Sequence, residues 1–176
     1  MLRYLLLALI FISGSINAQK TFSEKSGDIL SIALPAGAFI SSFKFQSENS
    51  HFKDFALGFL CSELATQSLK RIIDKPRPNG GRFSFPSGHT SAAFYGATFL
   101  NQRFGLKVGV PSYLIASYVG YTRIKAKKHD IFDVIGGVTI GIASSYLFRN
   151  SFKNEANLKR LKADVSPVGF NVTYSL

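Results

Sequence analysis

Gly136-Gly137-Val138-Thr139-Ile140-Gly141-Ile142-Ala143 lies within a longer apolar stretch, Ile131–Phe148, through which small residues recur. Small residues let helix backbones approach closely, as they do in a bilayer. A stretch of this length reads as a helix. Four more apolar stretches precede it: Ile29–Phe45, Phe55–Leu69, Thr90–Leu100 and Val108–Tyr121. All five look helical, so the expected fold is all-α, a helical bundle of five to six membrane-spanning helices. Thr90–Leu100 is short and carries hydroxyls, and a buried helix of a soluble bundle gives the same pattern.

The composition narrows the function. At 176 residues the chain is expected to form one domain. Hydrophobic residues make up 46% and charged residues 18%, which excludes intrinsic disorder and collagen-like structure. The single cysteine, Cys61, rules out an internal disulfide and a thiolate metal or redox pair. Lys and Arg outnumber Asp and Glu by 21 to 10, a net charge of +11. Such a balance implies an anionic partner: nucleic acid, an anionic membrane surface or a phosphorylated substrate. The positive charge is divided among short loops between apolar stretches, which argues against nucleic acid.

Residues 1–18 have the layout of a secretory signal peptide: Arg3, an apolar run from Tyr4 to Ile12, then small and polar residues ending at Ala18. The run is too short to span ~30 Å of hydrocarbon comfortably. Cleavage after Ala18 is expected; an uncleaved anchor is the alternative and would supply a sixth helix. Residues 19–150 form the expected helical bundle, and residues 151–176 a basic C-terminal tail.

Three polar clusters sit at the mouths of the apolar stretches. Lys70 belongs to the last turn of one helix, and Arg77 follows in a loop stiffened by Pro76 and Pro78. Two cations on a stiff loop suit an anion. Pro86-Ser87-Gly88-His89 reads as a loop entering a helix N-terminus, with Ser87 as N-cap. The free amides there could hold a phosphate, and Gly88 lets the backbone come close. In the third cluster Arg123 can grip two phosphate oxygens, and His129 and Asp133, four apart, share one helix face. A carboxylate beside a histidine orients it as nucleophile or base. Together these residues describe phosphoryl transfer without a metal, with charge stabilised by cations and amides.

These residues, with Lys70 and Arg77-Pro78 separated by six positions, then Pro86-Ser87-Gly88-His89, then Arg123, His129 and Asp133, resemble the three-part signature of the type-2 phosphatidic acid phosphatase superfamily. The resemblance implies an all-α bundle and a metal-independent, cofactor-free phosphatase. By position, His129 is the implied nucleophile that forms a phosphohistidine, Asp133 its orienting group and His89 the general acid. Lys70, Arg77, Ser87, Gly88 and Arg123 are the implied phosphate-binding groups. Two departures stand out. Thr122 replaces the usual Ser before the arginine and keeps the hydroxyl. Asp130 lies where the family is usually aromatic, and its charge is expected to raise the pKa of His129.

The expected activity is therefore removal of a terminal phosphate from a lipid phosphate or polyprenyl diphosphate. The site would lie on the outer, periplasmic face of a bacterial-type inner membrane. The alternatives are an exported acid phosphatase for soluble phosphomonoesters and a non-catalytic anion-binding membrane protein.

Overall fold

Five helices account for most of residues 21–43 and 51–148, the part of the chain that the computed structural model describes. They are α1 (Phe22–Ser42), α2 (Phe52–Ile73), α3 (Gly88–Phe104), α4 (Leu106–Lys125) and α5 (Ile131–Leu147). Among the described residues there is no strand, and the all-α expectation holds. The expected signal peptide and the tail 151–176 lie outside the described residues.

Local chemistry sets the boundaries. Thr21 caps α1 through the Glu24 amide. Asp74, in the left-handed region with φ 42°, ends α2 just before Pro76. Gly105, at φ 73°, separates α3 from α4, a conformation that glycine adopts without steric cost. Asp130 and Asp133 cap α5 reciprocally, each side chain accepting from the other's amide.

Helix α3 is the centre, packed against all four others. Its residues Ala93, Phe94 and Ala97 join Leu34, Ala116 and Val119 in one apolar cluster; Tyr95 and Phe99 join Ala38 and Phe55 in a second. The hydroxyls in this stretch are buried but bonded. Ser91 and Ser62 are 2.9 Å apart, Thr66 donates to Ser91, and Thr98 donates to the Phe94 carbonyl. A central helix surrounded by neighbours needs small and hydroxylated residues more than a continuous apolar surface, which explains its weak apolar signal.

Successive helices run antiparallel. At one end Phe39 of α1 packs on Phe52 and Phe55 of α2, and Ser145 of α5 donates to Gln102 of α3. The opposite end collects the starts of α1, α3 and α5 and the ends of α2 and α4, and with them every polar cluster singled out in the sequence.

Among the described residues no helix is long and apolar enough to cross a membrane. Helices α3 and α5 have 17 residues each, about 25 Å at 1.5 Å per residue. The longer ones carry charges near their ends, among them Glu24 and Asp28 in α1, Lys70 and Arg71 in α2, and Arg123 and Lys125 in α4. Large apolar side chains nevertheless face outward, including Ile32, Ile40, Leu60, Leu64, Leu114 and Ile135.

Candidate active site

Lys70 stands in the last turn of α2 and reaches the loop ahead of α3. Its ammonium donates to the carbonyls of Pro86 at 2.6 Å, Phe83 at 3.0 Å and Ser84 at 3.4 Å. The lysine thus braces the loop that delivers Ser87 and Gly88. A Cβ added to Gly88 would lie 3.8 Å from Lys70 Cε, so the α3 N-terminus and this cation are neighbours. Ser87 occupies the N-cap position, but its side chain makes no cap hydrogen bond; its hydroxyl instead accepts from Thr90 at 2.9 Å. The Ser87 amide donates to the Asp133 carbonyl at 2.9 Å, tying the start of α3 to the start of α5.

Arg77 lies in the α2–α3 loop, where its Nε donates to the Arg82 carbonyl at 3.0 Å. Arg82 in turn pairs with Asp74. The turn is thereby held shut by its own side chains.

His129 is buried just ahead of α5, its amide directed at the Arg123 carbonyl at 3.4 Å. Its Nδ1 lies 3.6 Å from Asp133 Oδ2. Asp133, fully buried, is the most heavily served carboxylate here: Ser84 and the Asp130 amide donate to Oδ2 and Lys75 to Oδ1. Burial, then the charges of Lys70 and Arg77, pull the His129 pKa down to about 4, with Asp133 pushing the other way. The expectation that Asp130 would raise it is corrected by the structure. The Asp130 carboxylate is taken up by Lys75 and by capping α5, so its charge is neutralised locally.

His89 and Arg123 meet at Asp28 of α1. Asp28 Oδ1 accepts from Arg123 Nη1 at 2.5 Å and lies 3.2 Å from His89 Nε2. Arg123 is fully buried; its Nη2 donates to the Glu24 carbonyl at 2.9 Å, and its Nε to Thr122 Oγ1 at 3.1 Å. Glu24 also pairs with Lys128.

The eight residues singled out in the sequence therefore converge on one end of the bundle. Lys70, Ser87, Gly88, His129 and Asp133 gather where α2, α3 and α5 meet, with Arg77 in the α2–α3 loop near enough for its charge to act on His129, and His89 with Arg123 where α1 and α4 meet. Sequence reasoning missed Asp28, Glu24, Ser84 and Lys75. Glu24 and Asp28 carried a usable signal: two acids spaced by four residues, in a chain with only 10, opening an apolar helix. Among the described residues, no group of three or more His, Cys, Asp or Glu side chains is placed to hold a metal ion.

A family model described as the PAP2 superfamily matches residues 52–156, and the chain belongs to that family. The chain is 28% identical to a lipid A 4'-phosphatase of Helicobacter pylori over 153 residues, covering 80% of this chain and 76% of that protein. It is 39% identical to a lipid A 1-phosphatase of Porphyromonas gingivalis over 91 residues, covering 49% and 20%. Among solved structures, that of Aquifex aeolicus LpxE superposes with a TM-score of 0.64 at 27% identity, covering 81% of this chain and 93% of that one. The family and these relatives indicate a phosphatase. The chain spans between 20% and 76% of the length of the curated relatives it matches.

Proposed function

We propose that this phosphatase removes a terminal phosphate from a lipid phosphate or polyprenyl diphosphate at a membrane, without a metal and through a phosphohistidine on His129. The observation that carries the reading is the convergence of the α3 N-terminus, Lys70 and the His129–Asp133 pair at one end of the bundle.

The substrate phosphate would lie on the amides of Gly88 and His89, at the α3 N-terminus, where helix N-termini favour anions, while the Ser87 amide stays on the Asp133 carbonyl. Lys70 and Arg77 balance its charge and Arg123 backs it. His129, with its pKa near 4, is neutral at ordinary pH and has a lone pair for attack. Its Nδ1 faces Asp133 and Ser84, which leaves Nε2 as the nucleophile. The Nε2–P bond forms as the bond to the leaving oxygen breaks, and His89 gives that oxygen a proton. Water then attacks phosphorus, His89 takes its proton, and His129 leaves neutral.

The lipid assignment draws on the outward apolar side chains, which suit hydrocarbon better than water, and on the named substrates of the H. pylori and P. gingivalis relatives. With the clusters gathered at one end, an anionic head group reaches the cations while its tail stays in lipid. The outer face of a bacterial-type inner membrane is the proposed location.

The test is phosphate release by detergent-purified protein in excess EDTA, over a panel of lipid phosphates and one soluble ester, for wild type and His129→Ala. Release from a lipid that survives EDTA and vanishes in the variant is the expected result. Turnover of the soluble ester alone, or release of the protein by carbonate washing of membranes, would sink the lipid assignment.

A further inference from the structure

Helix α1 lies outside the residues matched by the family model and outside all three motif clusters, yet it puts a carboxylate into the site. One oxygen, Asp28 Oδ1, serves both Arg123 at 2.5 Å and His89 Nε2 at 3.2 Å. The neighbourhood is shaped around this contact. A Cβ on Gly27 would stand 2.5 Å from Arg123 Nη2, so only glycine lets α1 come this close. The Glu24 carbonyl accepts from the same Nη2, and the Glu24 side chain pairs with Lys128. Arg123, fully buried and bonded through Nε, Nη1 and Nη2, is a fixed post. His89, with 45% of its side chain exposed, is the most exposed member of this trio.

We propose that Asp28 is a positioning residue of this phosphatase: held by Arg123, it grips His89 through Nε2 and leaves Nδ1 to pass the proton to the leaving oxygen. The inference rests on the reading of His89 as general acid. A carboxylate bonded to one imidazole nitrogen fixes the tautomer and the aim of the other. As the His129–P bond forms and the bond to the leaving oxygen breaks, the proton on His89 Nδ1 moves to that oxygen. The proton on Nε2 stays between His89 and Asp28. When water attacks phosphorus, its proton returns to Nδ1, and the imidazolium is restored.

Asp28→Asn keeps the shape and removes the charge. Its kinetics are measured with a lipid alkyl monophosphate, whose alkoxide must be protonated to leave, and with p-nitrophenyl phosphate, whose phenolate leaves unaided. The kcat for the alkyl ester falls on the order of 10-fold or more, part of the ~10²–10⁴ that a general acid supplies. KM moves by less than about 3-fold, and the pre-steady-state burst of nitrophenolate, which reports phosphorylation of His129 before water attacks, is largely kept. In parallel, ¹⁵N-histidine NMR, with the signal assigned by His89→Gln, reads the tautomer at a pH above the imidazole titration. Wild type shows the Nε2–H form and Asp28→Asn a mixture. Equal losses in the rate of the phosphorylation step on both esters mean a structural role and overturn the proposal. So does a lower KM with kcat kept, which would make Asp28 a competitor for the phosphate position, and so does an unchanged tautomer. The NMR readout needs no turnover; an inactive wild type would therefore sink the proposed function while the tautomer still decides the role of Asp28.

Discussion

Ser84 stands between His129 and Asp133: its hydroxyl donates to Asp133 Oδ2 and lies 3.5 Å from His129 Nδ1, while Nδ1 and Oδ2 are themselves 3.6 Å apart. A separation of 3.6 Å is beyond hydrogen-bond reach, so the orientation of the imidazole depends on the serine as well as on the aspartate. Ser84 is fully buried, and no water replaces its hydroxyl without rearrangement. Ser84→Ala is expected to lower kcat by roughly 10- to 100-fold with little change in KM, because transition-state geometry is lost and ground-state binding is not. Steady-state kinetics on one ester decide it. An unchanged kcat would mean that His129 is aimed by Asp133 alone.

The low pKa of His129 predicts a distinctive acid response. Burial, then Lys70 and Arg77, take it from 6.5 to about 4. Because the folded value lies below the unfolded one, the contribution of neutral His129 to stability is fully present above about 6.5. It is lost as the pH falls from there through about 4. The acid limb of kcat/KM should likewise fall near pH 4, since that profile reports the free enzyme. A pH–rate profile, with unfolding midpoints for wild type and His129→Gln between pH 7 and 4, checks both. An acid limb near 6.5 would contradict the buried, cation-flanked environment.

Lys75 serves two carboxylates of unequal burial, Asp130 at the surface and Asp133 in the interior. Removing Lys75 leaves the buried charge short of a partner, which costs about 1–3 kcal/mol. Asp130→Asn keeps the capping oxygen for the Asp133 amide and loses only a partly exposed ion pair, less than about 1 kcal/mol. Lys75→Met should therefore destabilise more than Asp130→Asn, and the double variant by less than the sum. Denaturant unfolding of the four proteins measures the cycle. Equal single losses that add would mean that Asp133 does not lean on Lys75.

Much of this was legible in the chain because the signals are local. Each apolar stretch became a helix. Helices α2, α3 and α4 run a few residues beyond their stretches at both ends, since helices run on through polar ends until a cap or a positive φ stops them, as at Asp74 and Gly105. Helix α1 instead starts before Ile29 and ends at Ser42, and α5 spans Ile131–Leu147. The eight residues proposed for the site could be named from sequence because each lies within a short motif. What stayed hidden was long-range. Asp28 meets Arg123 across 95 positions, Lys75 meets Asp133 across 58, and Ser84 meets the same aspartate across 49. No periodicity records such meetings. The role of Asp130 was misjudged for the same reason: its charge is visible in sequence, but the lysine that neutralises it lies 55 residues earlier.

Gly137, in the stretch that first pointed to a helical bundle, ties packing to the site. A Cβ there would meet the Ser87 carbonyl at 2.5 Å, Thr90 Cβ at 3.0 Å and the Ser91 amide at 3.2 Å. The Ser87 oxygen and the Ser91 nitrogen are backbone atoms of the α3 start, where the proposed phosphate position lies, and they cannot step aside as the end of a flexible side chain would. Gly137→Ala must therefore push α5 from α3, weakening the Ser87–Asp133 backbone bond of 2.9 Å. The expected cost is about 1–3 kcal/mol of stability, as for overpacking in general. At a temperature where the variant is still folded, its KM for a lipid phosphate should rise, because the amide cradle moves relative to Lys70. Gly37→Ala is the control, since its added Cβ meets nothing within 4 Å. If both variants behave alike, the close approach of α5 to the α3 N-terminus does not shape the site.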